Sequence, residues 1–211
     1  MSSDLTIFGA TGRLGSSISN LAAVDPRFSL HSEEIDVYID ASLPPGVPKH
    51  LDIALAAKRP IVIGVTGLGE DVHASFHKAA KTIPILYAPN FSLGVALLQR
   101  FAKFAAEAFH ANADIDLIET HHVQKKDAPS GTALAIAKNL KSIGKNPTLH
   151  SIRSGQTVGK HELILNTAEE QISLTHVAHS RDAFAKGALA AALFLSVRPP
   201  GLYGMEDVVN S

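Results

Sequence analysis

The first ninety residues alternate short runs of branched apolar residues with segments of helical period, and that alternation excludes most folds. The runs are "LTIFGA", "DVYIDAS", "PIVIGVTG" and "IPILYAPN", each closing near Gly, Ser or Asn. Between them lie "RLGSSISNLAAV", "VPKHLDIALAAK" and "DVHASFHKAAK", whose apolar positions recur every three or four residues. A short apolar run without polar alternation reads as a strand buried on both faces, which suits a parallel sheet covered by helices. The pattern predicts βαβ units. A long helix follows over "FSLGVALLQRFAKFAAEAFH", with Leu97, Phe101, Phe104, Ala105 and Ala108 on one stripe and Ser92 as its N-cap.

From Asp114 the character changes. "DIDLIETHH", "TLHSIRS", "KHELILNT" and "QISLTHVAH" are strand-like, and a single helix, starting near Gly131, separates the first from the rest. Consecutive strands without crossover helices suggest a mostly antiparallel or mixed sheet. "RDAFAKGALAAALFLSV" then reads as a helix that returns the chain to the first domain. The expected division is a dinucleotide-binding domain over 1–90, a substrate-binding and oligomerisation domain over 91–180, and a return over 181–211. Hydrophobic residues make up 45% of the 211, enough for a real core in each part. The net charge of -1 offers no basic field for nucleic acid. The absence of cysteine excludes thiolate chemistry and disulfides. No stretch has the length and apolarity of a membrane span, so a soluble cytoplasmic protein is expected.

The first strand ends in "GATGRLG", which places Gly9, Gly12 and Gly15 at Gly-x-x-Gly-x-x-Gly spacing between a strand and a helix. Such a turn lets backbone approach a pyrophosphate, and the helix start supplies free N–H groups and a positive dipole end. Arg13 adds charge inside the loop. The second strand that should carry a ribose-binding acid reduces to "RFSL", followed by His31, Ser32, Glu33 and Glu34, none of which is a clear ribose ligand. The choice between NADH and NADPH is therefore unreadable here. Two more loops, Gly64 to Gly67 and Ala88 to Ser92, close the third and fourth strands, where open α/β sheets bind ligands.

The segment "IETHHVQKKDAPSGTALAIAKNL" concentrates the remaining chemistry. Strand alternation sends His121 and His122 to opposite sides if the strand persists that far. Ser130 or Thr132 can cap the next helix, whose inner face is Ala133, Ile136, Ala137 and Leu140, with Lys138 and Lys141 turned away and Gly144 ending it. An anion cradle of Ser130, Gly131 and Thr132 thus lies beside a cationic proton donor, Lys125 or Lys126, and two imidazoles. Other histidines carry less: His73 and His77 lack the glutamate of a zinc-protease helix, and His176 and His179 form an isolated pair, so no metal site is expected. Arg153 and Arg181 have the charge to contact an anion, but structural pairing is the expected use.

Taken together, "GATGRLG", "DVYIDAS", "GVTG", "APNFSLGV", "ETHHVQKKDAPSGTA", "SIRSGQTVGKHEL" and "HSRDAFAKGAL" make the chain resemble the 4-hydroxy-tetrahydrodipicolinate reductase (dihydrodipicolinate reductase) family of diaminopimelate and lysine synthesis. The resemblance implies a Rossmann-like parallel-sheet domain with a truncated second strand, plus an inserted α+β substrate domain with a mixed sheet. It implies that Gly9, Ala10, Thr11, Gly12, Arg13 and Leu14 bind the cofactor pyrophosphate. Gly64, Val65, Thr66, Ala88, Pro89, Asn90 and Phe91 would lie on the nicotinamide side. His121 corresponds to the family's acid/base histidine and Lys125 to its proton donor, while His122, Gly131 and Thr132 correspond to residues holding the substrate carboxylates. The implied ligands are NADH or NADPH and a cyclic dicarboxylate, in a homotetramer built through the substrate-domain sheet. The stretch between Gly15 and Asp36 is shorter than family members carry. An amino-acid dehydrogenase sharing the glycine loop, or a non-catalytic nucleotide-binding module, are the alternatives; neither requires "HHVQKKDAPSGTA".

Overall fold

The computed structural model describes residues 2–30, 34–109 and 113–211, and the chain divides into two compact units. One comprises Met1–Leu93 with Arg181–Ser211, the other Gly94–Ser180. His31, Ser32 and Glu33 lie outside the described residues.

The first unit is a six-stranded sheet, all of whose pairings are parallel. Its strands are β1 (Ser3–Phe8), β2 (Phe28–Ser29), β3 (Val37–Asp40), β4 (Ile61–Ile63), β5 (Pro84–Tyr87) and β10 (Gly201–Tyr203), in spatial order β10-β5-β4-β3-β1-β2. All four residues of β3 and all three of β4 are buried, which explains their unbroken apolar character. Helices α2 (Val47–Ala57) and α3 (Glu70–Ala79) cover the sheet with Val47, Leu51, Ala54 and Phe76. Helix α6 (Asp182–Leu195) lies against β3, β4 and β5 and packs on α1 (Arg13–Val24). The second strand is indeed truncated, only two residues pairing with Ser3 and Asp4. Neither β10 nor the closing helix α7 (Met205–Val209) carries a periodic signal of its own; β10 exists by adding its backbone to β5.

The second unit holds a four-stranded mixed sheet, β7-β6-β8-β9, from β6 (Asp114–His121), β7 (Thr148–Arg153), β8 (Gly159–Asn166) and β9 (Gln171–Ala178). Strands β6 and β7 run parallel, and β8 is antiparallel to both β6 and β9. Helices α4 (Leu93–Ala108) and α5 (Gly131–Lys141) supply Leu98, Ala102, Ala106, Ala133, Ile136 and Leu140 to a core closed by Ile115, Leu117, Leu163 and Leu165. The inner face of α5 and its outward Lys138 and Lys141 match expectation. Most of the stripe expected for α4 does not face the core: Leu97, Phe101 and Phe104 are exposed, at 37%, 52% and 73%, although Ala105 packs against it. That helix is apolar on two sides, and the side bearing Ala102 and Ala106 is the one turned inward, where small side chains permit close packing. Among the described residues, no helix is long and apolar enough to cross a membrane.

Candidate active site

In the first unit the chain leaves β1 for β2 on one side and later lays β3 on the other. This is the switch point at which open α/β sheets bind ligands. The loop after β1 is built for a tight approach of backbone to backbone. Gly9 has φ +79, and a Cβ there would lie 2.7 Å from the Ala41 carbonyl oxygen. A Cβ on Gly15 would lie 2.1 Å from the Gly9 oxygen. Gly12 donates its N–H to the Gly9 carbonyl at 2.9 Å and opens α1, whose start no side chain caps. The first N–H groups of α1 are therefore available to an anion. Ala10, Thr11, Gly12 and Arg13 are exposed, with Gly9 and Leu14 half-buried.

A cavity of about 510 Å³ opens beside this loop, lined by Gly9, Thr11, Gly12, Ser42, Gly46 and His50 among others. Its floor is fixed by Asp40, fully buried at the end of β3, which accepts from His50 Nδ1 (2.8 Å) and from the Ser42 N–H (3.0 Å). The His50 ring stacks on Phe8, centroids 4.0 Å apart. Uncapped helix start, glycine loop and cavity together fit a dinucleotide. The other two loops divide differently. Val65, Ala88 and Phe91 are buried, and the Phe91 ring abuts Gly64, where a Cβ would lie 2.3 Å from its Cε2. Thr66 and Pro89 are exposed and Asn90 half-buried, its side chain accepting from the Ser92 N–H at 2.8 Å.

In the second unit, strand alternation puts Ile115, Leu117, Glu119 and His121 on one face of β6. The face begins apolar and ends polar. Register then sets Arg153 beside His121 and His161 beside Glu119, with His176 beyond His161. Glu119 is 1% exposed and accepts hydrogen bonds from His121 Nδ1, from Arg153 Nη2 (2.7 Å) and from the Ser130 N–H (3.3 Å). Burial would push the Glu119 carboxyl up, but the bonds from Arg153, Ser151 and His121 outweigh it and hold the carboxyl below its ordinary range. Burial pushes His121 down, opposed by the Glu119 carboxylate. His161, 3% exposed, is pushed down to about 4 by burial and by His121 and His176.

Ser130, not Thr132, caps α5: its Oγ accepts from the Ala133 N–H at 3.2 Å and lies 3.3 Å from His161 Nε2. At 1% exposure its polar groups are all turned inward. Gly131 is exposed and Thr132 half-buried at the same helix start. Lys125 Nζ pairs with Asp127 Oδ2 at 2.9 Å, which holds the Asp127 carboxyl below the usual range, and Lys126 is exposed. His122 follows the end of β6 and is half-buried. The loop carrying these groups is tied to the one after β7, the Ser154 N–H donating to the His121 carbonyl (2.8 Å) and the Val123 N–H to that of Gly155 (3.2 Å). The structure thus brings His121, His122, Lys125, Ser130, Gly131 and Thr132 to one end of one unit. Sequence alone does not single out Glu119 or His161, and the pairing expected of Arg153 is its bond to Glu119. Glu-x-His on a strand was a visible signal for Glu119; His161 had none.

Two family models match the chain: "Dihydrodipicolinate reductase, C-terminus" over residues 94–209 and "Dihydrodipicolinate reductase, N-terminus" over 28–91. A 4-hydroxy-tetrahydrodipicolinate reductase of Xanthomonas campestris pv. campestris (strain B100) is 38% identical over 229 residues, covering 96% of each chain. The chain belongs to the dihydrodipicolinate reductase family. A relative of the same name from Stenotrophomonas maltophilia (strain R551-3) is 38% identical over 98% of this chain and 97% of its own. Dihydrodipicolinate reductase from Paenisporosarcina sp. TG-14, solved with dipicolinate bound, superimposes with a TM-score of 0.85 at 22% identity. That match spans 98% of this chain and 99% of the other, and it shows the shared fold. The Xanthomonas alignment runs over 229 positions against 211 residues here, so at least 18 (229 less 211) have no counterpart in this reductase-family chain.

Proposed function

We propose that the chain is a cytoplasmic reductase that transfers a hydride from NADH or NADPH to 4-hydroxy-tetrahydrodipicolinate, giving tetrahydrodipicolinate in diaminopimelate and lysine synthesis. The observation that carries this reading is the gathering of His121, His122, Lys125 and the start of α5 at one end of the second unit. When bound, the reduced nucleotide supplies the hydride; Gly9 to Leu14 hold its pyrophosphate, and the loops Gly64–Thr66 and Ala88–Phe91 serve its nicotinamide end.

The substrate is a cyclic dicarboxylate. The N–H groups of Gly131 and Thr132 at the start of α5, with His122, hold its carboxylates, and Ser130 fixes that helix start from within. Loss of the 4-hydroxyl as water gives the unsaturated ring, and addition of hydride to it leaves an electron-rich enamine carbon. Lys125 gives that carbon a proton and regains one from water, with Asp127 Oδ2 2.9 Å from Nζ keeping the ammonium in place. His121 is the neighbouring acid/base group. The outer face of the four-stranded sheet, with Ile152 46% and Val177 44% exposed, serves to build a homotetramer.

The test is a coupled reduction assay with freshly generated substrate, run in parallel with NADH and NADPH. Lys125→Ala should lower kcat roughly 100-fold while moving the nucleotide KM by no more than about twofold. A full-rate variant would remove Lys125 from the mechanism.

A further inference from the structure

Glu119 and His121 are two residues apart on β6, so their side chains share a face by strand geometry alone. A carboxylate can only accept, so the bond between Glu119 Oε2 and His121 Nδ1 puts the ring proton on Nδ1 and leaves Nε2 as the nitrogen able to exchange one. Glu119 cannot swing away: Arg153 Nη2 and the Ser130 N–H hold its other oxygen, and it is 1% exposed. On the far side of the ring stands Gly159 of β8. A Cβ there would sit 3.2 Å from His121 Nε2 and 3.5 Å from Cδ2, although the backbone at this position does not demand glycine. The groups acting on His121 are the Glu119 carboxylate, which favours its cation, and Lys125 and Arg153, which oppose it. His161 packs edge-on at 5.3 Å between ring centroids.

We propose that Glu119 is a positioning residue that fixes the tautomer and ring orientation of His121, with Gly159 keeping Nε2 clear for the substrate. The inference rests on the acid/base reading of His121 given above. Glu119 acts through His121 and touches no reacting atom.

The decisive measurement on the intact protein is 15N NMR of its histidines, with His121 assigned by the loss of its signals in His121→Gln. The expected result is a ring protonated on Nδ1 at neutral pH; an Nε2–H ring in the unaltered protein overturns the proposal. In Glu119→Gln the shape survives but the charge is gone. The His121 titration should then move to lower pH, the limb of the kcat/KM profile that it sets should follow, and kcat should fall roughly tenfold or more with the nucleotide KM within about twofold. An unchanged midpoint and unchanged kcat refute the positioning role. Gly159→Ala tests the other side of the ring and does not depend on Glu119→Gln folding. Lowered kcat with unaltered circular dichroism and nucleotide binding supports the clearance, and full-rate turnover refutes it. A full-rate His121→Gln would instead sink the acid/base reading, while the NMR result would still report separately on what Glu119 does to the ring.

Discussion

Acidification from pH 7.5 to 4.5 should cost the folded protein about 2.5 kcal/mol through His161 alone. The ring is 3% exposed, its Nε2 is engaged with Ser130 Oγ, and Nδ1 is buried without a hydrogen-bond partner among the described residues. A protonated ring would therefore place a charge and an N–H where no acceptor waits, with His121 and His176 adding repulsion, and its pKa falls from 6.5 to about 4. In the unfolded chain the same ring titrates near 6.5. Between those values the unfolded state binds the proton and the folded state does not, so stability is complete above about pH 6.5 and is lost as pH falls toward 4. Each unit of that gap corresponds to about 1.4 kcal/mol, which makes about 3.5 kcal/mol over the whole window and about 2.5 by pH 4.5. The assay is urea unfolding followed by far-ultraviolet circular dichroism at several pH values, on the native chain and on His161→Gln, whose amide reaches the position of Nε2. Contributions from His121, His176, Glu119 and Asp127 have the same sign and largely cancel in the difference. The native chain should lose about 2–3 kcal/mol more than the variant across that range. Parallel stability curves for the two proteins would refute the assignment to His161.

Ser130→Ala removes the cap of α5 and should cost about 1–2 kcal/mol in urea unfolding at neutral pH. Gly15→Ala brings a Cβ to 2.1 Å from a backbone oxygen that cannot yield cheaply, so the nucleotide Kd, measured by calorimetry, should rise roughly tenfold or more. Leu163→Ala, at a fully buried position between sheet and helices, should lower stability by about 2–5 kcal/mol. Lys126→Ala, at an exposed position beside Lys125, should leave kcat within about twofold of the native value.

Most of the architecture was legible because it depends on local period. The runs that became β1, β3, β4 and β5, the helices between them and the inner face of α5 all follow from the spacing of apolar residues over a few turns or pleats. Position along the chain was less informative where two solutions satisfied the same pattern. On α4 both sides are apolar, and only packing against the sheet selects the side with Ala102 and Ala106 over that with Phe101 and Phe104. For β10, three residues hold no period at all, and the strand exists because an edge of β5 is there to be paired.

The candidate site divides along the same line. His121, His122, Lys125 and the start of α5 lie within one stretch of sequence, so a motif can reveal them. Arg153 and His161 enter only through register, one across the parallel β6–β7 ladder and the other across the antiparallel β6–β8 ladder. A one-residue slip of either partner strand would turn its side chain to the opposite face, leaving Glu119 buried without Arg153 or exposing His161. The apolar end of the sheet resists such a slip, because Leu149, Leu163 and Leu165 would be expelled from the core with it. The polar end of β6 is thus held in place by the hydrophobic end of the same strands. Lost packing there, as in Leu163→Ala, should loosen the bonds to Glu119 as well as lower stability.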